Sequence, residues 1–205
     1  MENKREELTG ELLFPSILLT NDFILSKGGK EIKLLSSNID DWKITFVDTG
    51  LKSNIGQRLR RVEDYVKGEE YFLANYADGL TDMPLHTQID WFKSTKKTAC
   101  FLCTKPSQTF HAVSFDERMF IKNIQFVKDT DLWVNAGFFV FKHDIFRYIK
   151  DDEDLVAEPF KRLIGEGNLL GYKYDRFWAM DTFKEQQELT DIYVQGNAPW
   201  ELWKK

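Results

Sequence analysis

An aspartate and a glycine directly follow a strongly apolar segment in the first half of the chain. Residues 71–76 (YFLANY) are predicted to form a buried strand that stops at Asp78-Gly79. Ligands of open α/β sheets bind beyond the carboxyl ends of the strands. A carboxylate beside a glycine, which lets a ligand approach the backbone, suits Mg²⁺. Asp-Gly after a strand is equally typical of a simple turn, so both interpretations stay open here.

The cysteines and histidines are not predicted to form a disulfide or a metal site. Cys100 and Cys103 form a C-x-x-C, but their segment is predicted to be a strand, in which positions three apart point to opposite faces. Two buried thiols in a reducing compartment are therefore expected rather than a disulfide or a shared metal. His86, His111 and His143 lack the spacing of zinc ligands.

The composition predicts one soluble α/β domain. The chain has 205 residues and a formal net charge of −5, which argues against a general nucleic-acid binder or a binder of anionic membranes. Residues 1–20 lack the features of a signal peptide, and their apolar run is too short to span a bilayer. A cytoplasmic location is expected.

The first half of the chain contains the elements that must position Asp78. Glycines between two short apolar runs predict a hairpin over 23–35, and 42–47 (WKITFV) is predicted to be a half-buried strand. A helix is expected over 58–67. The 71–76 strand is then expected to be central in the sheet and covered on both faces. A second helix begins at Pro84, placed at its first position, with Leu85, Ile89 and Phe92 facing inward.

The second half is predicted to be mixed. Strands are expected over 99–104, 110–115, 119–127, 133–141 and 169–174, and helices over 143–149, 160–166 and 183–194. The last helix is expected to face inward with Leu189, Ile192 and Tyr193. Residues 177–182 (FWAMDT) bring a second exposed carboxylate, Asp181. No linker or internal repeat marks a domain boundary.

Seven segments occur together in a fixed order. They are the DTG of 48–50, the GQR of 56–58, the YADGLTD of 76–82, the VNAGFFVF of 134–141, the EPF of 158–160, the FWAMDT of 177–182 and the APWELW of 198–203. In this order the set resembles the sugar-phosphate nucleotidyltransferases, specifically the glucose-1-phosphate cytidylyltransferase branch. The resemblance runs from about residue 21 to the C-terminus, so residues 1–20 form a segment that does not match.

The resemblance implies an α/β fold with a Rossmann-like mixed central sheet flanked by helices. It also implies transfer of a nucleotidyl group from a nucleoside triphosphate, expected to be CTP, to a sugar 1-phosphate, expected to be glucose 1-phosphate. Such a reaction releases pyrophosphate and needs a divalent ion that neutralises phosphate charge. The products of this branch serve nucleotide-sugar and polysaccharide biosynthesis.

Site residues follow from the same resemblance. Asp78 and Asp181 match the Mg²⁺ ligands, and they are expected to converge at one edge of the sheet. Asn135 and Glu158 match positions that hold sugar hydroxyls, Gly56 and Arg58 match the base-recognition side, and Trp178 is placed at the sugar pocket. Three of these residues have structural alternatives, since Glu158 could cap a helix, Arg58 could be solvated and Trp178 could be a buried aromatic.

Three departures from the family pattern qualify these assignments. Ala77 and Ala136 each replace a glycine. The lysine of the E-K-P segment, which grips the sugar phosphate, is absent, because 124–127 reads IQFV; Lys122 and Lys128 are the candidate substitutes. The G-G-x-G-T-R-L loop that wraps the triphosphate is not found in the chain.

The missing loop leads to an interpretation of residues 21–205 as an N-terminally truncated nucleotidyltransferase domain. The alternative to an active enzyme is a catalytically inactive remnant or a partner subunit, and the oligomeric state is left open, a homo-oligomer included. The exposed sheet edge and apolar patch that such a gap leaves predict aggregation, or partial cover by residues 12–19.

Overall fold

The computed structural model describes residues 23–29, 31–35, 44–107 and 110–204. The chain divides into two units, Met1–Val47 and Asp48–Lys205. The strands are β1 (Phe23–Ser26), β2 (Glu31–Leu34), β3 (Tyr71–Ala74), β4 (Gly79–Thr81), β5 (Ala99–Thr104), β6 (His111–Phe115), β7 (Ile121–Phe126), β8 (Val134–Asn135), β9 (Phe139–Lys142), β10 (Leu169–Lys173) and β11 (Phe177–Ala179). The α-helices are α1 (Ile55–Arg61), α2 (Leu85–Thr95), α3 (Glu158–Gly165) and α4 (Phe183–Val194).

The first unit contains the predicted hairpin. Strands β1 and β2 pair antiparallel around the Lys27–Gly29 turn, where Gly28 has a φ of 67° that glycine adopts without strain. Residues 44–47, the last four residues of the strand predicted over 42–47, have no strand conformation. In the described part of the chain no strand pairs with them, and a strand forms only where a neighbour takes its hydrogen bonds. That part of the prediction was wrong, while Trp42 and Lys43 lie outside the described residues.

A mixed sheet forms the centre of the second unit. Its strand order is β10-β5-β9-β3, and β8 pairs with the end of β5. Strands β5 and β10 are parallel, whereas β9 runs antiparallel to both β5 and β3. Strands β3, β5 and β10 therefore point the same way, and their carboxyl ends meet at one edge. The α/β fold with a mixed central sheet was predicted correctly.

Helices cover both faces of this sheet. On one face Phe92 of α2 packs against Cys100 of β5 and Val140 of β9. On the other face, Phe160 and Leu163 of α3 pack into a larger aromatic cluster. The members of that cluster on β3 and β9 are Phe72, Phe139 and Phe141. The alternation of side chains along each strand divides the core between the two faces.

Strand β3 lies at the edge of the sheet instead of at its centre. Among the described residues it pairs only with β9, and it ends at Ala74. Phe72 is buried, but 53% of the Leu73 surface is exposed. The prediction of a central strand covered on both faces was therefore wrong, because an apolar run indicates burial without identifying the neighbouring strands. The proposed cover, residues 12–19, lies outside the described residues.

The edge of β3, which has no second strand partner among the described residues, predicts a solubility variant. Leu73→Lys should lower the aggregated fraction of the purified chain several-fold, because a charge on an unpaired edge opposes intermolecular strand pairing. Analytical ultracentrifugation at several protein concentrations would measure this fraction. Leu51→Lys is the matched control, since Leu51 is exposed in a loop outside any strand. Equal improvement in both variants would mean that general surface apolarity, and not the β3 edge, causes aggregation.

Glycine divides the predicted 133–141 strand into two. Gly137 has a φ of 74° and Phe138 a φ of 47°, so the chain turns between β8 and β9. The predicted strand thus becomes a two-residue strand and a four-residue strand, which both pair with β5. The sequence pattern identified the apolar run correctly and missed the turn inside it.

The helices confirm most of the predicted elements and correct some of the inner faces. Helix α4 has the predicted bounds and buries Leu189, but 56% of the Tyr193 surface is exposed. In α2 the buried side chains are Phe92 and Gln88, while 40% of the Leu85 surface is exposed. Pro84 is the N-cap instead of the first helical residue. The Gln88 amide nitrogen donates to the Phe138 carbonyl oxygen at 2.8 Å, while the buried Gln88 side-chain oxygen has no hydrogen-bond partner among the described residues.

Two antiparallel ribbons accompany the sheet. One consists of β4 and β11, with Ala179 opposite Gly79. The other, β6 and β7, is a hairpin whose β7 side chains are all exposed. No helix among the described residues is both long and apolar enough to cross a membrane.

The two cysteines point to opposite faces of β5, as predicted, but only Cys100 is buried, whereas Cys103 is partly exposed. Burial raises the pKa of the Cys100 thiol to about 11, and it also raises the pKa of Cys103, against the opposing charge of Lys173. Because a raised thiol pKa disfavours the thiolate, Cys100 contributes to stability below its ordinary pKa of 9.0 and loses that contribution as the pH rises toward 11.

We expect the thiols to be slow nucleophiles in the folded chain. At pH 8, an aromatic disulfide reagent should label Cys103 slowly and Cys100 at least tenfold more slowly still, because Cys100 is fully buried. Both should react at the rate of a free thiol in denaturant. Cys100→Ala and Cys103→Ala variants assign the two phases, and fast labelling of Cys100 in the folded chain would contradict its placement in the core.

Candidate functional site

A small cavity lies at the edge where the parallel strands end. Its volume is about 150 Å³. The residues that line it come from the segment after β3, from β4, from β8 and the residue after it, and from β11 and the segment after it: Tyr76, Asp78, Gly79, Asn135, Ala136, Phe177, Ala179 and Asp181. Three of the seven segments, 76–82, 134–141 and 177–182, therefore contribute to the lining of this one cavity.

Asp78 and Asp181 reach the cavity from the two strands of one ribbon. Asp78 immediately precedes β4, and Asp181 follows β11 by two positions. The Met180 N–H donates to the Asp78 carbonyl oxygen at 2.8 Å, which continues the β4–β11 pairing beyond its last ladder pair. Antiparallel pairing thus brings together two carboxylates that are about a hundred positions apart in the sequence.

Helix α4 fixes the backbone of Asp181. Thr182 is the N-cap, and its hydroxyl accepts a hydrogen bond from the Glu185 N–H at 3.2 Å. The Glu185 carboxylate accepts in return from the N–H groups of Thr182 at 2.9 Å and Asp181 at 3.1 Å. The sequence T-F-K-E carries the signature of this capping box, so Glu185 could have been recognised as a positioning residue.

Asn135 and Tyr76 form another part of the cavity wall. The Asn135 side-chain oxygen accepts from the Gly137 N–H at 2.9 Å, and its amide group donates to the Tyr76 hydroxyl oxygen at 3.4 Å. Burial raises the pKa of Tyr76, and the carboxylates of Asp154 and Asp78 act in the same direction. Tyr76 therefore keeps its proton at neutral pH. It was not among the predicted site residues, although it belongs to the YADG segment.

Gly79 is required by close packing. A Cβ atom at this position would lie 2.7 Å from the Phe177 ring, which is closer than van der Waals contact allows. The glycine therefore lets β4 approach β11 and brings the backbone of Asp78 to the cavity. Ala77, one of the departures from the family pattern, is exposed, so its extra methyl group is not buried in the fold.

A buried carboxylate, that of Asp82, connects the two strands of the same ribbon. Asp82 is almost fully buried, and it accepts a hydrogen bond from the Tyr174 hydroxyl at 3.0 Å. Its other oxygen forms an ion pair with Arg176, which directly precedes β11. Asp82 thus connects the segment after β4 to the segment before β11, and this connection positions both cavity aspartates.

Gly56 and Arg58, predicted on the base-recognition side, do not line this cavity. A Cβ atom on Gly56 would lie 2.3 Å from the Glu153 carbonyl oxygen, so a buried packing contact accounts for this glycine. Arg58 holds the loop before α1, because its guanidinium donates to the Ser53 carbonyl at 2.9 Å and to the Thr49 hydroxyl at 3.1 Å. Arg58 is bound to its own loop rather than simply solvated.

Glu158 and Trp178 also lie outside the lining. Glu158 is exposed at the first position of α3, so the predicted N-cap role falls to Ala157, and Pro159 occupies the second helical position. Trp178 alternates with Phe177 and Ala179 along β11 and packs edge-on against Trp200, with ring centres 5.4 Å apart. This placement agrees with the alternative interpretation of Trp178 as an aromatic residue that packs in the fold.

The donor set of the cavity suits Mg²⁺. This ion usually takes one or two protein carboxylates and completes its octahedron with phosphate oxygens and waters. Asp78 and Asp181 are both exposed and both reach the cavity. Among the described residues there is no group of three or more His, Cys, Asp and Glu side chains arranged for a metal. The cavity thus provides two carboxylate side chains that could bind a metal ion.

Comparison with known proteins gives consistent sequence relatives. The chain is 33% identical to the glucose-1-phosphate cytidylyltransferase of Salmonella typhi over 168 residues, which are 81% of this chain and 65% of the relative. It is 30% identical, over 89% of this chain and 72% of the relative, to a protein of Bacillus subtilis strain 168 named "Probable glucose-1-phosphate cytidylyltransferase". The chain thus spans about 65% of the length of the Salmonella relative. No protein-family model matches the sequence.

Comparison with solved structures agrees on the fold. A crystal structure of UDP-glucose pyrophosphorylase complexed with UDP-glucose superimposes on 72% of this chain and 64% of its own, with a TM-score of 0.51. Sequence identity over that region is 12%, so this likeness shows the shared fold alone.

Proposed function

Because the chain belongs to the glucose-1-phosphate cytidylyltransferase family, within the sugar-phosphate nucleotidyltransferases, we propose that it carries out nucleotidyl transfer to a sugar 1-phosphate. The proposed substrates are CTP and glucose 1-phosphate, and the products are CDP-glucose and pyrophosphate. The observation that supports this proposal is the shared cavity of Asp78 and Asp181, beside Asn135. CDP-sugar synthesis for surface polysaccharides in the cytoplasm would be its cellular role.

The proposed reaction is an in-line displacement at phosphorus. A phosphate oxygen of the sugar 1-phosphate attacks the α-phosphorus of the nucleotide, the bond from that phosphorus to the bridging oxygen breaks, and pyrophosphate leaves with its electron pair. Asp78 and Asp181 would hold a Mg²⁺ ion. When bound, that ion supplies charge neutralisation and alignment of phosphate oxygens.

The other residues of the cavity would orient the substrate. The Tyr76 hydroxyl accepts its hydrogen bond from Asn135, so its own proton can be donated to a ligand oxygen. Glu185 holds the backbone of Asp181 through the capping box, which restricts where that carboxylate can point. Glu158 is exposed at the start of α3 and does not line the cavity. It would contact sugar hydroxyls only in a ligand that extends beyond the cavity.

A catalytically inactive remnant or partner subunit is the second candidate. It is favoured by a specific observation, since residues 124–127 read IQFV where the family pattern has the E-K-P lysine. Loss of a single transition-state hydrogen-bond donor typically costs about 10²–10³ in rate. The chain is therefore expected to be a slow catalyst by itself.

The assay follows CDP-glucose by chromatography and pyrophosphate by a coupled enzyme reaction, with CTP, UTP and dTTP compared at equal Mg²⁺. Slow, Mg²⁺-dependent formation of CDP-glucose supports the proposal, and faster turnover of UTP or dTTP would correct the base. Binding of glucose 1-phosphate and MgCTP without product supports the inactive remnant. Binding of neither substrate would refute both candidates.

A further inference from the structure

Two lysines approach one tryptophan ring at the carboxyl edge of the sheet. Lys105 directly follows β5, and Lys173 is the last residue of β10. Their ammonium nitrogens lie 4.5 Å and 4.6 Å from the centre of the Trp133 ring. Each contact is favourable by itself, but two like charges at one ring repel each other. An anion bound near both ammonium groups would reduce that repulsion.

In the described part of the chain, neither the Lys105 nor the Lys173 ammonium group forms an ion pair. The Asp131 carboxylate accepts from the Trp133 indole N–H at 3.3 Å, and the Lys105 ammonium donates to the Thr130 carbonyl oxygen. None of the ion pairs found among the described residues includes Lys105 or Lys173. Trp133 and its two lysines are called the lysine–tryptophan cluster below.

Strand register places the cluster beside the acidic cavity. Cys103 of β5 is paired with Asn135 of β8 on one side and with Lys173 of β10 on the other. Residues paired across neighbouring strands point to the same face of a sheet. Asn135, which lines the cavity, and Lys173 therefore share a face, two strand spacings or roughly 10 Å apart. A lysine side chain together with a phosphate group can bridge that span.

The other candidate lysines lie elsewhere. Lys122 is part of the exposed hairpin strand β7, and Lys128 follows it, with its ammonium 5.4 Å from the Phe126 ring. Neither residue lines the cavity of Asp78 and Asp181. Lys105 and Lys173 do not line it either, but strand register connects Lys173 through Cys103 to Asn135 of the cavity. Among the described residues β7 pairs only with β6, so no such register connects Lys122 to the cavity.

We infer that Lys105 and Lys173 bind the phosphate group of the sugar 1-phosphate beside the cavity of Asp78 and Asp181. This inference rests on the proposed function, and it assigns to two strand-end lysines the task for which the 124–127 segment has no lysine. A phosphate monoester carries up to two negative charges and accepts hydrogen bonds from ammonium groups, so two lysines match its charge. Both ammonium nitrogens lie within 4.6 Å of the Trp133 ring centre, so they are at most about 9 Å apart.

The test measures binding without CTP and without turnover. Isothermal titration calorimetry with glucose 1-phosphate, inorganic phosphate and glucose is performed on the parent chain and on Lys→Met variants, which keep the aliphatic stem and lose the charge. Lys105→Met and Lys173→Met should each weaken glucose 1-phosphate binding about tenfold. Lys122→Met and Lys128→Met are the matched controls and should bind like the parent chain.

A second readout locates the bound phosphate. The indole N–H signal of Trp133 in ¹⁵N-labelled protein, assigned with a Trp133→Phe variant, should shift on addition of glucose 1-phosphate and of inorganic phosphate. It should not shift with glucose. Higher ionic strength should weaken the binding, since screening reduces the attraction of an exposed cation for an anion.

The outcomes separate this inference from the proposed function. Affinity unchanged within about threefold in the Lys105→Met/Lys173→Met double variant, or no binding of either phosphate by the parent chain, would overturn the inference. Lysine-dependent binding of glucose 1-phosphate in a chain that forms no nucleotide sugar and binds no metal through Asp78 would support the inference and refute the proposed function.

Discussion

Replacing Asp181 with asparagine should weaken the binding of Mn²⁺, used as a spectroscopic substitute for Mg²⁺, by about 10²-fold in the presence of CTP. The physical reason is the loss of one of two anionic oxygen donors in a site whose other ligands come from substrate and water. Asp78→Asn should have a similar effect, because both carboxylates reach the same cavity from the two strands of one ribbon.

Electron paramagnetic resonance of free Mn²⁺ measures this affinity without any turnover. Asp90→Asn is the matched control, since Asp90 is an exposed aspartate on α2 and the substitution changes the net charge equally. Any Mg²⁺-dependent transfer should fall in parallel with metal affinity in the two cavity variants and not in the control. Metal affinity that survives both cavity substitutions would show that the ion lies elsewhere, which would end the two-carboxylate proposal.

Local sequence signals predicted those elements whose stability is local. Helix α4 begins after a T-x-x-E capping box and was predicted with the bounds that it has. Strand β5 likewise follows from a six-residue run of apolar and small side chains between turns. The turn at Gly28 fixed the first hairpin. In each case the residues that determine the element lie within it or next to it.

Elements that depend on distant neighbours were predicted less well. The apolar character of 71–76 indicated a strand correctly, but its place at the sheet edge depends on which strands pair with it. The 44–47 segment shows the same limit, since its sequence favours a strand that no described neighbour completes. The division of 133–141 depends on Gly137, whose positive φ cannot be distinguished in the sequence from an ordinary strand glycine.

The candidate site contains residues that the sequence identified and residues that only the strand register brings together. Asp78, Asp181 and Asn135 stand in ordered segments that resemble one family, and the structure brings these three to one cavity. Lys105 and Lys173 belong to no such segment, and their proximity arises from the parallel register of β5 and β10. Register is a property of the whole sheet, so the cluster that they form with Trp133 could not be found from spacing along the chain.

Phe139→Ala should have the largest effect on stability among single substitutions in the sheet. The Phe139 side chain is 2% exposed, and its ring lies 5.3 Å from the Phe141 ring and 6.2 Å from the Phe160 ring. Truncation of a buried phenylalanine to alanine typically costs about 3–5 kcal/mol, from lost transfer free energy and the cavity left behind. In a chain of this size that loss lowers the melting temperature by about 10 °C.

The same substitution should also disturb the candidate site. The Tyr76 ring packs edge-on against Phe139 at 5.3 Å, and its hydroxyl accepts from Asn135, so a cavity at Phe139 removes the support of that wall.

Thermal unfolding followed by circular dichroism measures the stability. Phe120→Ala is the matched control, because 68% of the Phe120 surface is exposed on the hairpin side of the chain. Phe139→Leu, which keeps most of the buried volume, should fall between the control and Phe139→Ala. Equal melting temperatures for Phe139→Ala and the control would mean that the aromatic cluster does not hold β9 against α3, and the support of Tyr76 would then have to come from the Asn135 hydrogen bond alone.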